Sequence, residues 1–387
     1  MGVLRIFLAL SVVIWHVPSR STSWVDAGVA VLLFFIISGF YMALVINENY
    51  GVQPTAGWRR RFYASRLFRL FPAYLVMVGI FVCALALSPT RPFALSAMGQ
   101  PLSSCLLIMA LNLMILGQDI FQLIVNSLDF HEGNALAAAA AAAMPDGFFD
   151  NHFMVVGQAW SLASELLFYG LAPFVVRSLP RIAVLFAASL ALRWGLIFGF
   201  GFSSEVWGYN FFPGTLCLFL LGSLAYHLYA RLKTRGAAKV AGVALGAGIA
   251  AFSLWSIGRQ GGVLLIERAT GYDTPLLWLA YVGFALAMPF LFTASKTSKL
   301  DRWIGELSYP LYVVHGLVLG LIFGKFHRPG SDLAWDVAAG LLSLAAAAAL
   351  FVLIDRPVDD WRHRRYSLRG RGGTVKLPAA REAESGA

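Results

Sequence analysis

The sequence predicts an all-α protein, a polytopic transmembrane helix bundle with about ten spans. Of its 387 residues, 59% are hydrophobic and only 13% are charged, whereas a soluble domain carries about 25% charged residues. The mean hydropathy is +0.71, and the apolar stretches are long enough to cross a bilayer. The net charge of +10 lies in short loops and at the C-terminus, which indicates topology and anionic lipid rather than a nucleic-acid partner.

Ten or eleven hydrophobic segments follow one another along the chain. They cover residues 3–18, 27–47, 70–88, 102–117, 158–177, 181–200, 211–230, 239–257, 275–293, 306–324 and 333–354. The first segment is not a cleaved signal peptide, because it carries Arg5 and His16 and has no small-residue cleavage pattern.

Five basic clusters follow these segments and predict the orientation of the chain. They are Arg59 to Arg61 with Arg66 and Arg69; Arg177 and Arg181; Arg231, Lys233, Arg235 and Lys239; Lys296, Lys299 and Arg302; and Arg356 to Lys376. The positive-inside rule places all five, and both termini, in the cytoplasm. The basic end, 358–387, is predicted to be a disordered cytoplasmic tail after a transmembrane domain over 1–357.

Strict alternation of spans fails in the region 102–157. The loop 118–157 has acidic residues and no Lys or Arg, which favours the outside, yet counting from the N-terminus places it inside. The preferred interpretation is that 102–117 is re-entrant or oblique, which leaves ten true crossings. The alternative is an extra crossing that includes the alanine run 135–143.

No metal site or disulfide framework is predicted. The polar residues of the loop have no regular ligand spacing, so a solvated acidic loop is the favoured interpretation over a metal centre. They are Asp129, His131, Glu132, Asp146, Asp150 and His152. The cysteines Cys83, Cys105 and Cys217 lie in apolar segments and are typical of small core residues.

The first segment carries two residues that are costly in a membrane, Arg5 and His16. They are eleven residues apart, close to three helical turns, so they share one face with a separation of roughly 16 Å. Imidazole suits proton transfer near neutral pH, and a general base that takes a proton from a hydroxyl is its natural use. The alternative for His16 is a hydrogen-bonded packing residue.

Three further groups of polar residues stand out. Arg66 and Arg69 project from one side of a helix start and suit phosphate groups, although they are also typical positive-inside anchors. Glu165 needs a partner, for which a cation or a histidine on another helix is expected, or it joins helices by packing. Ser161 and Tyr169 share a helix face with Glu165, and Trp160 lies alongside. In the third group, Ser308, Tyr312 and His315 lie near one face of a later helix.

Together these residues resemble the acyltransferase 3 family of integral-membrane acyltransferases. Six segments occur in the family's order between residues 5 and 357: Arg5-x10-His16, the FFxxSGF run 34–40 with Ser38, Arg66-x-x-Arg69 with Pro72, the WSLxxExxFY run 160–169, the SYxxYxxH run 308–315 with Tyr309, and Asp355-Arg356-Pro357. Two positions depart from the pattern. Leu32 stands where the family often has an acid or proline, and Asp355 replaces the closing glutamate.

The resemblance implies an O-acyltransferase of the bacterial inner membrane. It would move an acyl group, usually acetyl, from cytoplasmic acyl-CoA to a hydroxyl of a cell-envelope or extracellular polysaccharide or its lipid-linked precursor. Acyl-CoA would be a co-substrate and no cofactor would be bound. His16 and Glu165 would be catalytic. The substrate-binding residues would be Arg5, Ser38, Arg66, Arg69, Trp160, Ser161, Tyr169, Tyr309 and His315.

Two other classes of function fit part of the pattern. A transporter or flippase of a saccharide or acyl group would also place polar residues inside spans, although no inverted repeat is seen in the hydropathy pattern. A structural scaffold explains the basic loops but not two intramembrane histidines and Glu165. The expected partners are the lipid bilayer, acyl-CoA and a saccharide. The oligomeric state is not predicted.

Overall fold

A computed structural model describes residues 1–17, 25–50, 56–86, 100–129, 135–145, 148–149, 153–232, 244, 271–325 and 333–366. This part of the chain is helical and contains no strand. The predicted all-α class is therefore confirmed for these residues. Among the predicted segments, 239–257 lies almost wholly outside the described residues, and so do Lys233, Arg235, Lys239, His131, Glu132, Asp146, Asp150 and His152.

The first two helices begin at carboxylates that accept hydrogen bonds from their first amides. Helix α1 spans Gly2–Trp15, and its first amides donate to the carboxylate of Asp301. Helix α2 spans Ala27–Val45 and continues as a π-helical turn to Tyr50; Asp26 caps it by accepting from the Val29 amide at 3.0 Å. Helix α3 spans Trp58–Ala86.

The region 102–157, where the predicted alternation of spans fails, contains a sharp turn. Helices α4 (Leu102–Met114) and α5 (Gln118–Asp129) are bent by 118° relative to each other. The turn passes through Gly117 at a φ of 90°, a conformation that glycine adopts at no steric cost. The next helix, α6 (Ala135–Ala142), has only eight residues. At about 12 Å it is too short to cross a bilayer alone.

The remaining helices form the body of the bundle and its ends. Their bounds are α7 Trp160–Val175, α8 Leu179–Trp194, α9 Phe212–Leu232, α10 Pro275–Ser295, α11 Lys299–Glu306, α12 Ser308–Lys325, α13 Leu333–Leu350 and α14 Arg356–Tyr366. A π-helical turn, Phe351–Asp355, joins α13 to α14.

Within the described residues, seven helical stretches are long and apolar enough to cross a membrane, or eight if the bent pair counts as one span. The apolar helix α1 has 14 residues and falls below that length. The chain is therefore a multi-pass membrane protein. The total of about ten spans and the cytoplasmic position of both termini stay predictions.

Helices α2 and α9 make the closest helix pair at the centre of the bundle. A Cβ atom on Gly39 would lie 1.8 Å from the carbonyl oxygen of Phe219, and one on Gly222 would lie 1.9 Å from that of Ile36. The two glycines thus let the backbones touch. In lipid the hydrophobic effect does not drive helices together, so close packing at small residues holds them. The Ser223 hydroxyl also donates to the carbonyl of Gly39.

The helix ends that carry basic residues gather at the N-terminal end of α1, which we call the Arg5 end. The Arg59 guanidinium lies 4.7 Å from the centre of the Phe174 ring, at the end of α7. Lys296 donates to Tyr229 at the end of α9. We call the opposite end of the bundle, where α1 finishes, the His16 end.

Helix α14 extends into the segment that was predicted to be a tail. Residues 358–366 are helical and lie against α3, where Arg69 pairs with Asp359 at 2.9 Å. The packed bundle therefore continues beyond residue 357, because this basic stretch has a carboxylate and guanidinium partners within it. Residues 367–387 lie outside the described part.

Candidate active site

A cavity of about 280 Å³ lies between α1, α2, α3, α7, α12 and α14. This volume is near the lower end of the range for small-molecule sites. Its wall is mostly apolar, with polar side chains converging on it from all six helices. They are Arg5, Ser38, Tyr41, Arg66, Arg69, Ser161, Glu165, Tyr169, Ser308, Tyr309, Tyr312 and Arg362.

Four arginines make one part of the wall strongly basic. Arg5 comes from α1, Arg66 and Arg69 come from successive turns of α3, and Arg362 comes from α14. Arg69 donates to Asp359 at 2.9 Å, and Arg362 contacts the same carboxylate at 2.9 Å. Among the residues that line the cavity, Glu165 is the one carboxylate facing these four cations. The wall therefore favours an anionic ligand.

Glu165 is held in the wall by two hydroxyl groups. The Ser38 hydroxyl donates to its Oε1 atom at 2.9 Å, and the Tyr169 hydroxyl donates to the same atom. Ser38 can reach it because the neighbouring Gly39 faces α9, which leaves Ser38 on the side of α2 that faces α7. The sequence segment that contains Ser-Gly thus serves packing on one face and the cavity on the other.

The cavity closes toward the His16 end at a hydrogen bond between α7 and α12. The hydroxyls of Ser161 and Tyr312 are 2.7 Å apart, and Tyr312 also donates to the Gln158 carbonyl at 3.1 Å. The side-chain amide of Gln158 donates to the carbonyls of Tyr312 and Val313 on α12. These contacts fasten the start of α7 to the second turn of α12.

Two histidines lie behind this closure. The His315 ring is 5.8 Å from that of Tyr312, and the His16 ring is 5.3 Å from that of His315, measured between ring centres. His315 is 2% exposed, whereas His16 is exposed at the end of α1. The rings of Tyr312, His315 and His16 therefore form a file that leads away from the cavity.

The hydrogen bonds of the histidines fix their tautomers. The Nδ1 atom of His16 is 2.7 Å from the Val12 carbonyl, and that of His315 is 2.7 Å from the Tyr312 carbonyl. A carbonyl only accepts, so Nδ1 carries the proton and a neutral ring has its lone pair on Nε2. His16 is thus prepared to accept a proton at Nε2.

The structure brings most of the predicted site residues together. Eight of the eleven line the cavity: Arg5, Ser38, Arg66, Arg69, Ser161, Glu165, Tyr169 and Tyr309. Three do not. His16 and His315 lie behind Tyr312, and Trp160 is buried between Phe35 and Tyr209.

The hydrogen bonds of Glu165 do not go to the kind of partner that the sequence predicts. A cation or a histidine on another helix was predicted. Among the described residues, the hydrogen bonds of Glu165 go to Ser38 and Tyr169, and that of His16 goes to the Val12 carbonyl. One neutral hydroxyl from α2 and one from the next turn of α7 satisfy this carboxylate, because they reach it without burying a second charge.

Sequence reasoning missed Arg362 and the ion pair of Arg193 with Asp273. Arg362 stands three residues after Asp359, a spacing that places both on one face of a helix, but it falls in the stretch interpreted as a tail. Arg193 lies in the predicted apolar segment 181–200, and nothing in its local sequence distinguishes it. Its partner follows 80 positions later, and no local spacing links the two.

Asp26, which caps α2, also lies at the His16 end. Burial raises the pKa of Asp26. The hydrogen bonds that it accepts from the Val29 amide and the Tyr272 hydroxyl lower the pKa and offset part of this effect. Tyr209 lies beside Tyr272, with ring centres 5.1 Å apart, and beside Trp160 at 4.5 Å. Trp207 is buried against Phe202.

Comparison with known proteins gives one match. The model of a family described as an acyltransferase domain, the acyltransferase 3 family, matches residues 1–353. The resemblance drawn from the six sequence segments is thereby confirmed. No curated protein and no solved structure matches the chain.

Proposed function

The chain belongs to the acyltransferase 3 family, and from this premise we propose that it moves an acyl group, most simply acetyl, from acyl-CoA to a saccharide hydroxyl. Membership makes the protein a membrane acyltransferase. The donor, the acceptor, the acyl group and the location in a bacterial inner membrane are the proposed parts. The acceptor would be a cell-envelope or extracellular polysaccharide or its lipid-linked precursor.

The basic wall of the cavity is the observation that carries the proposal. Four guanidinium groups around one cavity suit a ligand with several phosphate groups, and guanidinium forks bind phosphate in a bidentate way. CoA has phosphates at one end and a long pantetheine arm at the other. With its phosphates at Arg66, Arg69 and Arg5, the arm would run along α7 past Glu165 toward Ser161.

The reaction would take place at the far end of that arm. The acceptor hydroxyl gives its proton to the Nε2 atom of His16 as its oxygen attacks the thioester carbonyl. The carbon–sulfur bond breaks, an ester forms, and the CoA sulfur takes the proton back from His16. Transfer through an acyl-histidine is the alternative route.

The proposal requires the thioester to pass the closure at Ser161 and Tyr312. Tyr312 is held there by hydroxyl contacts to Ser161 and to the Gln158 carbonyl. Rotation of this side chain would join the cavity to the histidine file. The acceptor would reach His16 from the His16 end, where Tyr209 and Tyr272 offer half-buried rings near Asp26.

The test is acceptor-dependent CoA release by the purified protein in nanodiscs, with acetyl-CoA and a panel of bacterial polysaccharides. We expect His16→Ala to lower the rate by about a hundredfold or more, the usual contribution of a general base. His227→Ala is the matched control, because His227 donates to the Val176 carbonyl at the Arg5 end. It should keep the wild-type rate.

Two results would contradict the proposal. A fully active His16→Ala variant would move the proton transfer to another residue, with His315 the first to examine. Flux of a saccharide or acyl group across sealed vesicles without CoA release would instead support the transporter alternative.

A further inference from the structure

The last helix of the bundle places a buried guanidinium against the cavity. Arg362 on α14 is 5% exposed, and its side chain lines the cavity with Arg5, Arg66 and Arg69. It follows the closing Asp-Arg-Pro segment and lies beyond residues 1–353, which the family model matches.

The hydrogen bonds of Arg362 leave part of its binding capacity unused. One terminal nitrogen donates to the Ser65 carbonyl at 3.1 Å, and the other contacts Asp359 at 2.9 Å. Its Nε atom is buried with no hydrogen-bond partner among the described residues, and the same holds for the Nε atom of Arg66. Buried donors without partners are costly, so two of them on side chains that line one cavity favour a ligand that accepts hydrogen bonds.

Asp359 has the position of a substitute for such a ligand. Its two carboxylate oxygens are shared between Arg69 and Arg362, each at 2.9 Å. It lies next to the cavity but is not part of its wall. A carboxylate that bridges two arginines occupies the same fork geometry that a phosphate would use. An anion that enters the cavity would compete with it for both guanidinium groups.

We propose that Arg362 binds the phosphate groups of the acyl donor, and that Asp359 holds Arg69 and Arg362 in place until the donor displaces it. This inference rests on the proposed function, because it assigns the donor's phosphates to the basic wall. It makes α14 part of the donor site. An anionic lipid headgroup offers the same phosphate chemistry, so the experiment must separate the two sources.

The test measures binding of CoA and of S-acetylpantetheine to the full-length protein in phosphatidylcholine nanodiscs. Arg362→Gln should raise the Kd for CoA by about ten- to a hundredfold, as expected for the loss of a hydrogen bond between charged groups. It should leave the Kd for S-acetylpantetheine, which has no phosphate, unchanged. Arg364→Gln is the matched control, since Arg364 is exposed on the same helix and does not line the cavity, and it donates to the Asp360 carbonyl.

Asp359→Asn should change the Kd for CoA in the opposite direction, which separates a binding effect from loss of the fold. Removal of the competing carboxylate should lower the Kd for CoA by about two- to fivefold, the range for a partly exposed ion pair. A variant that has lost its fold cannot bind more tightly. If Asp359 and Arg362 only fasten α14 to α3, both substitutions should weaken the binding of both ligands alike, which would overturn the inference.

The remaining outcomes separate this inference from the proposed function. Wild-type binding of CoA that is insensitive to Arg362→Gln overturns the role of Arg362 and leaves acyl-CoA as the donor. No binding of CoA to the wild type overturns both. Added phosphatidylglycerol that displaces CoA from the wild type but not from Arg362→Gln assigns the site to a lipid headgroup, which also overturns the inference.

Discussion

Glu165 shows how a single carboxylate is kept in a membrane span. The hydroxyls of Ser38 and Tyr169 both donate to its Oε1 atom, and the side chain faces four guanidinium groups across the cavity. Its charge is thus stabilised by two neutral donors at short range and by cations at longer range. Its negative charge therefore offsets part of the positive charge of the cavity wall, while its hydrogen bonds go to neutral hydroxyls.

We expect Glu165→Gln to lower kcat by about ten- to a hundredfold, with a smaller effect on the KM for the donor. The amide keeps the shape and one acceptor oxygen, but it removes the charge that balances the four guanidinium groups along the path of the donor's arm, so the thioester would be aligned less well. Steady-state CoA release measures both constants. Tyr169→Phe keeps the charge and removes one hydrogen bond, so its kcat should fall far less. Equal losses in the two variants would mean that the hydrogen bond, not the charge, matters.

Local spacing predicted which residues line the cavity better than it predicted their partners. The three-residue step from Arg66 to Arg69 and the four-residue step from Ser161 to Glu165 are visible in the sequence, and each pair does share the wall. The contact between Ser38 and Glu165 joins residues 127 positions apart. No periodicity encodes it, because it depends on how α2 and α7 pack.

At the scale of the helices, the pair α2 and α9 sets the position of the cavity. Gly39 and Gly222 let these backbones touch, and Gly39 is adjacent to Ser38 in the wall. A change in the spacing of this pair would therefore move Ser38 relative to Glu165. Packing and site geometry are coupled here through two consecutive residues.

Gly39→Ala should destabilise the protein by about 1–3 kcal/mol, the usual cost of inserting a methyl group into a well-packed contact. The added carbon would meet the Phe219 carbonyl at 1.8 Å, so α9 must shift. Thermal unfolding in detergent measures the loss. Gly79→Ala on α3 is the control, because a Cβ there meets nothing within 4 Å. A Gly39→Ala protein as stable as Gly79→Ala would refute the close contact.

The bend between α4 and α5 was predictable only as an irregularity. The loop charges showed that the region does not alternate simply, but they did not indicate an angle. The 118° turn is fixed by contacts from elsewhere: Tyr74 on α3 donates to the Asn112 carbonyl at 2.6 Å, and Gln118 donates to the Tyr74 hydroxyl at 3.0 Å. Polar residues that hold a turn look in sequence like any polar residue in a span.

Over the whole molecule, one buried ion pair fastens the His16 end. Arg193 at the end of α8 donates to both oxygens of Asp273, at 2.6 and 2.8 Å, and to the Gly208 carbonyl. Ser204 and Trp278 add two donors to the same carboxylate. The end of α8, the connection to α9 and the start of α10 are thereby joined at one point.

Asp273→Ala should destabilise the protein by about 3–5 kcal/mol, because it leaves the Arg193 guanidinium buried without its counter-charge. The pair does not line the cavity, so kcat per folded molecule should stay near the wild-type value. Thermal unfolding and CoA release on the same preparation test both parts. Glu205→Ala, an exposed acid in the same connection, should change neither. A stable Asp273→Ala protein would show that the pair contributes little.

Composition and segment length were sufficient to predict a helical membrane bundle, and the order of six short segments was sufficient to predict the family. The extent of the packed part was not predictable. Helix α14 was assigned to a tail because it is short and basic, yet Asp359 joins Arg69 and Arg362 there. Charge patterns describe how a segment meets solvent, and they do not reveal charges that pair inside the protein.

The hydrogen bond between Ser161 and Tyr312 has a consequence for the membrane itself. An enzyme that draws one substrate from each side must bring two aqueous compartments to one reacting centre without joining them into a leak. The cavity stops on one side of this bond, and the histidine file begins on the other. With Tyr312 in this position, a proton or an ion that enters the cavity meets a closed partition, so the membrane keeps its electrochemical gradient as long as this hydrogen bond is made.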